Sequence, residues 1–490
     1  MRRLILSALF SLSLSGCFGP SDGVAVPVDD IYFPVGLAFD EGDRHLFVVS
    51  SDFDLQYNAG AIQSYDMARL QRDLPVPCED EPGGLCRPGR PLEPFDNEGM
   101  CKNGERIASE RLLVPGRCSP LDPGVYKQDS VKIGAFATDA VLRHEKDSTN
   151  TRLFVPVRGD STLHWLDIDE DGFMQCGQAG NDGACDDRHR AGDQPTDNTR
   201  GIKLNAEPFA VDASEHAETI VVTNQTTGAA SLFVNDWGGN GPSLQFALSS
   251  DRIPRRPVGI ASLPSPAAQS GEGNTYLLTF RDSPQVRLVR YAPDDGSSVS
   301  RPFLVDGGGV GITANSVGSD SRGVAVDSSA RQAAEASCGG DQACLEQAAL
   351  VPLDVYVANR APSSLLIGRT RPPEQYPYFY DSVPLTVGPS RVTLGKVTAA
   401  NGDLERRVFV ACFDSRRVFV YDPVRARMEA EIFTGRGPHA LVVDETRGLL
   451  FVGHFTDSYV GVYSLDLRHP ETYGSMLATL GSPKTPRSSK

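Results

Sequence analysis

After its first sixteen residues the chain has no uninterrupted apolar run approaching the ~18 residues of a transmembrane helix. Positive charge is also short. Lys and Arg number 47 against 63 Asp and Glu, a net charge of −16, which argues against nucleic acid as a partner and against a general basic membrane patch. Tryptophan and histidine are scarce, at two and eight in 490 residues, so a redox centre that draws on many of either has too little to draw on. No cysteine pair has CxxC spacing, and His189 is the only histidine close to any cysteine, so a zinc site is not expected.

The cysteines that are present fall as close pairs: Cys78 with Cys86, Cys101 with Cys118, Cys176 with Cys185, Cys338 with Cys344. Cys412 is left alone and Cys17 stands near the start. The four between 78 and 118 allow three pairings, of which the nearest-neighbour one is preferred. Such pairs suit an oxidising compartment. Ahead of them, Arg2 and Arg3 precede LILSALFSLSLS, and LSGC occupies 14–17. This resembles the lipobox of bacterial lipoproteins. The resemblance implies removal of residues 1–16, acylation of Cys17, a tether over 17–29, and a bacterial outer membrane location facing periplasm or cell surface, with acyl chains as the membrane attachment.

A short β-branched and aromatic run recurs seven times: LFVVSSD from Leu46, LFVPVRG from Leu153, IVVTNQT from Ile220, YLLTFRD from Tyr276, VYVANRA from Val355, VFVACFD from Val408 and LFVGHFT from Leu450. Upstream of it stands a second element, clearest in PVGLAFD, PVGIASL, SRGVAVD and PHALVVD and poorest near FATDAVL at Phe136. Downstream a third strand often closes on Asp, as in VFVYD at Asp422. Four short antiparallel strands repeated seven times are what the blades of a propeller require. The runs VVTN at 221–224 and YVAN at 356–359 resemble the YVTN family of seven-bladed, WD40-like β-propellers. The resemblance implies an all-β seven-bladed propeller over 30–480, and says little about chemistry.

Three insertions interrupt the repeats, at 68–130, 169–203 and 328–350, and residues 481–490 read as a disordered tail. The third, ARQAAEASCGGDQACLEQAAL, reads as a short helix pair or hairpin tied by Cys338 and Cys344. For ring closure two readings stand: SMLATL at 475–480 completes the last blade alone, or VAVPV at 24–28 adds an outer strand to it.

Calcium is the one cofactor left open. In DIDEDG, Asp167, Asp169 and Asp171 alternate as oxygen donors before Gly172, but the twelfth position is Gln178. A catalytic set is not expected. The enzymatic alternative is a lactonase-like hydrolase using His439, His454 and Arg436; another is a propeller subunit of a redox or envelope complex. The favoured reading is a lipid-anchored, non-enzymatic binding or scaffolding module. Its ligand-binding candidates are seven arginines at one rim: Arg158, Arg281 and Arg360 after the repeated run, and Arg256, Arg322, Arg391 and Arg436 at strand starts. Guanidinium forks suit anionic groups, so an envelope protein or an anionic glycan is the expected partner. The alternative is a crown in which these arginines pair with Asp160, Asp282, Asp414 and Asp457. For the anchor, Cys17→Ala is expected to release soluble protein or block processing, checked by membrane fractionation and by the acyl mass on the wild type.

Overall fold

The computed structural model describes residues 23–77, 120–177, 183–198, 200–268, 274–294, 301–312 and 320–482, with the backbone of short strand pieces between 85 and 113. Cys17 and the side chains of Cys78, Cys86, Cys101 and Cys118 lie outside them.

Each β run begins and ends at a turn, so the chain folds back locally, and seven four-stranded antiparallel sheets form in sequence order and close into a ring. The blades cover 34–133, 141–191, 208–248, 257–311, 321–384, 389–433 and 438–480. Within each, the first strand lies at the axis and the last at the rim. The repeated run is the second strand, and it is buried throughout on both faces in His45–Ser50, Thr151–Val157, Thr219–Asn224, Thr275–Phe280 and Leu449–His454. Two-sided burial explains its uninterrupted hydrophobicity. The apolar residues sort into seven clusters, one between each adjacent pair of blades, including Phe451 and Val462 of blade 7 against Leu46 and Val48 of blade 1. Full burial of each such Val, Leu or Phe contributes about 1.5–3 kcal/mol.

Blade 7 completes itself with Met476–Leu480; Gly23–Val28 adds no strand. The seam is covered instead by the first insertion. Its Pro120–Leu121 pairs in parallel outside Met476–Leu480, and the Gly481 N–H donates to the Leu121 carbonyl at 2.9 Å. That insertion ends at Tyr126 rather than 130, because Lys127–Ile133 is the outermost strand of blade 1. The second insertion returns two edge pieces, Met174–Gln175 and Arg190–Ala191, to blade 2, and contains the Cys176–Cys185 disulfide. In the third, helices Ser329–Ser337 and Gln342–Ala348 are tied by Cys338–Cys344.

At the axis the first strands must approach closely. A Cβ on Gly36 would stand 2.6 Å from the Ala140 Cβ, one on Gly323 would stand 2.7 Å from the Val392 nitrogen, and one on Gly259 would strike the Arg322 carbonyl. Gly259→Ala is therefore expected to cost about 1–3 kcal/mol. Gly311→Ala, where a Cβ meets nothing within 4 Å, is expected to stay within about 0.5 kcal/mol. Urea unfolding of both variants checks the contrast.

Candidate site at the channel mouth

Six of the seven first strands carry a bulge at their start, between Pro34 and Gly36, Pro208 and Val211, Pro257 and Gly259, Ser321 and Val324, Pro389 and Arg391, and Pro438 and Ala440. A bulge re-aims the side chain it contains. Val35, Phe209 and His439, all inside bulges, line a cup of about 130 Å³ at one end of the channel. Antiparallel pairing brings the ends of the second strands to the same place, and from these turns come Phe53, Phe413 and Phe455, while Phe136 comes from the approach to the first strand of blade 2. The rings form a continuous aromatic surface: Phe53 lies 5.1 Å from Phe455 and 5.3 Å from Phe136, and Phe413 lies 6.2 Å from Phe455. Phe53 remains 46% exposed at the opening.

Arg391 and Asp139 pair beside the cup's Thr138 and His439. Arg391 belongs to blade 6 and Asp139 leads into blade 2; these blades are not neighbours, so the ion pair crosses the axis. Its fork is bidentate, Nη2 donating to Oδ1 at 2.9 Å and Nη1 to Oδ2 at 3.1 Å. The Ala140 and Val211 N–H groups donate to the same carboxylate at 3.0 and 3.3 Å. Burial nevertheless raises the Asp139 carboxyl above its ordinary range, with Arg391 opposing. Beyond this pair the other end of the channel widens to about 580 Å³. His439 bonds the Thr138 backbone, and burial, reinforced by Arg391, pushes its imidazole down to about 3. His454 is likewise pushed down to about 3 by burial, and its ring stacks 4.2 Å from Tyr459. Cys412 is free and buried, and burial pushes its thiol up to about 11. Two neutral imidazoles and a protonated thiol are poor general bases at neutral pH.

The seven rim arginines reach this end of the ring, and six of them meet carboxylates. Arg158 donates to Glu207 at 2.8 Å, Arg256 meets Asp282 at 3.2 Å, Arg322 meets Asp320 at 2.6 Å and Arg436 meets Asp457 at 2.6 Å. Arg360 pairs with Asp414, and Arg391 with Asp139. Asp160, anticipated as part of the crown, faces Arg190 at 3.2 Å and His164 at 3.4 Å instead. Among the described residues Arg281 makes no ion pair; it and Arg360 lie close enough to Arg322 to oppose its charge, and burial lowers the Arg322 pKa further. The aromatic cup was not anticipated, yet its signal is in the repeat. Phe413 and Phe455 occupy the position that holds Arg158, Arg281 and Arg360 in other blades.

Two of the three alternating aspartates of blade 2 have side-chain hydrogen bonds within the protein. Asp167 accepts from Arg152 at 2.8 Å, and the Asp169 carboxylate accepts the N–H groups of Asp171 and Phe173 at 3.0 and 2.9 Å. Calcium there would compete with Arg152, whose guanidinium lies 4.3 Å from the Trp165 ring and 4.8 Å from that of Trp237. Among the described residues no three His, Cys, Asp or Glu side chains are grouped to hold a metal.

No family model and no curated protein matches this chain. Solved structures of similar shape include a putative 6-phosphogluconolactonase from Bacteroides uniformis, at 14% identity and TM-score 0.46, covering 87% of this chain and 95% of that one. The periplasmic gluconolactonase of Pseudomonas aeruginosa gives 14% and 0.45, covering 82% and 86%. Hydrazine synthase of Kuenenia stuttgartiensis gives 11% and 0.47, covering 92% and 98%. At these values the likeness carries nothing about chemistry.

Removing one partner of a buried pair strands the other charge, so Arg391→Met is expected to cost about 3 kcal/mol near neutral pH. An aspartate whose carboxyl is raised on folding binds its proton more tightly folded than unfolded, so stability falls as pH rises from the ordinary carboxylate range through the raised one. Without Arg391 that raising grows. The deficit of the variant is therefore expected to be larger at about pH 8 than at about pH 5, measured by urea unfolding at both; a pH-independent deficit would contradict a charged plug.

Proposed function

We propose that this chain is a non-enzymatic binding module whose phenylalanine cup takes an apolar side chain from a protein partner. The observation that carries this reading is the convergence of Val35, Phe53, Phe136, Phe209, Phe413 and Phe455, from five blades, on one open cavity of about 130 Å³. That is room for a single side chain. An exposed aromatic edge around a small pocket is the usual form of a protein-binding hot spot. The rim arginines that would favour an anionic glycan are mostly spent on neighbouring carboxylates.

The same proposal tethers the propeller to an envelope membrane through Cys17. Two disulfides at bonding geometry, Cys176–Cys185 and Cys338–Cys344, support an oxidising compartment.

The test is crosslinked capture from native envelopes with wild type, Phe53→Asp and Val424→Asp. Phe53 is at the mouth; Val424 is 83% exposed in a turn at the opposite end of blade 6. One stoichiometric partner is expected with wild type and Val424→Asp, with Phe53→Asp weakening it tenfold or more, about 1.4 kcal/mol or greater. Retention by Phe53→Asp would remove the cup from the interaction. Hydrolysis of glucono-δ-lactone by the wild type, lost in His439→Ala, would replace binding by lactone opening.

A further inference from the structure

A second cavity, of about 340 Å³, lies at the end of the ring opposite the cup, between blades 4 and 5. Leu263, Pro264, Pro266 and Pro373 give it apolar walls, and Ser265, Thr275, Arg290, Glu374 and Gln375 are its polar members. The Ser265 hydroxyl is buried there without a hydrogen-bond partner. Directly behind the wall sits Arg331, only 1% exposed. It donates to the Val351 carbonyl at 3.1 and 3.0 Å, to the Pro264 carbonyl at 3.4 Å and to Gln375 Oε1 at 3.2 Å, all neutral acceptors. Arg290 likewise donates to a neutral group, the Glu374 carbonyl, at 2.7 Å. Among the described residues neither guanidinium is in an ion pair, whereas most rim arginines are.

A buried cation without a counter-ion is costly. The disulfide-tied helix pair holds Arg331 in that position, with Glu335 attracting its charge without contact, so two guanidiniums outside any ion pair flank one cavity of a protein that carries −16 overall. We propose that the cavity binds a small organic monocarboxylate, with its carboxylate on Arg290 and the Ser265 hydroxyl and its apolar body against the proline wall. Arg331, outside any ion pair, adds positive potential from behind, which Glu335 offsets in part. Glu374, exposed at the rim, opposes any anion and opposes a phosphate dianion more strongly than a monocarboxylate. This site is separate from the partner-binding cup and stands or falls independently of it.

Calorimetric titration at fixed ionic strength with benzoate, its neutral analogue benzamide, and inorganic phosphate tests the proposal. Wild type is expected to bind benzoate saturably, and benzamide and phosphate at least tenfold more weakly. Arg290→Gln should weaken benzoate tenfold or more and Ser265→Ala severalfold, while Arg468→Gln, at an exposed arginine of blade 7, leaves it unchanged. Ser265→Ala serves as the reading should Arg290→Gln fail to fold. Absence of saturable benzoate binding, equal binding of benzamide or phosphate, or full affinity in both site variants would overturn it.

Discussion

The constraint on which everything else depends is the crowding of seven strands around one axis. Each first strand must pass its neighbour closely enough for backbone to meet side chain, so the third position of the repeat is small: Gly36, Ala140, Ala210, Gly259, Gly323 and Ala440. Glycine in a strand commonly marks such an approach. Arg391 is the exception in that column. Its side chain goes into the channel, where Asp139 receives it. One departure from the repeat thus divides the channel into a small aromatic cup and a wider vestibule.

Charge is handled in the same economical way. Arg152, Arg331 and Arg407 are among the largest fully buried side chains. Arg407 is enclosed by Glu429 at 2.7 Å, Glu405 at 2.7 Å and Asp422 at 3.5 Å, with Tyr473 bonding Glu429 at 2.7 Å. Arg152 has Asp167 and two indole faces. A buried ion pair of this kind contributes little net stability, since desolvation offsets attraction, but it is intolerant of losing one partner. The same logic makes Arg331 stand out, because it has the burial and lacks the carboxylate.

How much was legible follows from the separation between interacting residues. Apart from blade 1, whose outer strand follows the first insertion, a blade is built from strands consecutive and close in sequence, so the periodic β runs disclosed the fold and the blade count, and Asn224 and Asn359 do bond nearby carbonyls, of Asn205 and Pro362, at 2.7 and 2.8 Å. Contacts across the ring have no such periodicity. Asp139 and Arg391 are 252 positions apart, and Asp139 lies in the poorest repeat, whose first strand Val141–His144 has four residues. The seam strand Pro120–Leu121 is two residues long and pairs with Thr479 and Leu480, too little pattern to be seen beforehand. Phe413 and Phe455 stand in the column that holds Arg158, Arg281 and Arg360 in other blades, but their convergence with Phe53, Phe136 and Phe209 depends on ring closure, which no local pattern encodes.

The location of the cup gives it a consequence beyond recognition. Phe33 and Phe53 belong to the approach and turn of blade 1, and Phe455 to blade 7, with ring centroids 4.9 and 5.1 Å apart across the seam. That seam is joined by the Phe451 and Leu46 cluster, the Pro120–Leu121 addition to blade 7 and single bonds such as Phe33 N–H to the Ser458 hydroxyl at 3.2 Å. An apolar side chain seated between these rings adds contacts to both blades at once. Whatever binds only the closed ring stabilises closure by mass action. Occupancy of the cup and integrity of the seam are therefore linked equilibria, and the aromatic sector lies where a ligand can reinforce the join between the first and last blades.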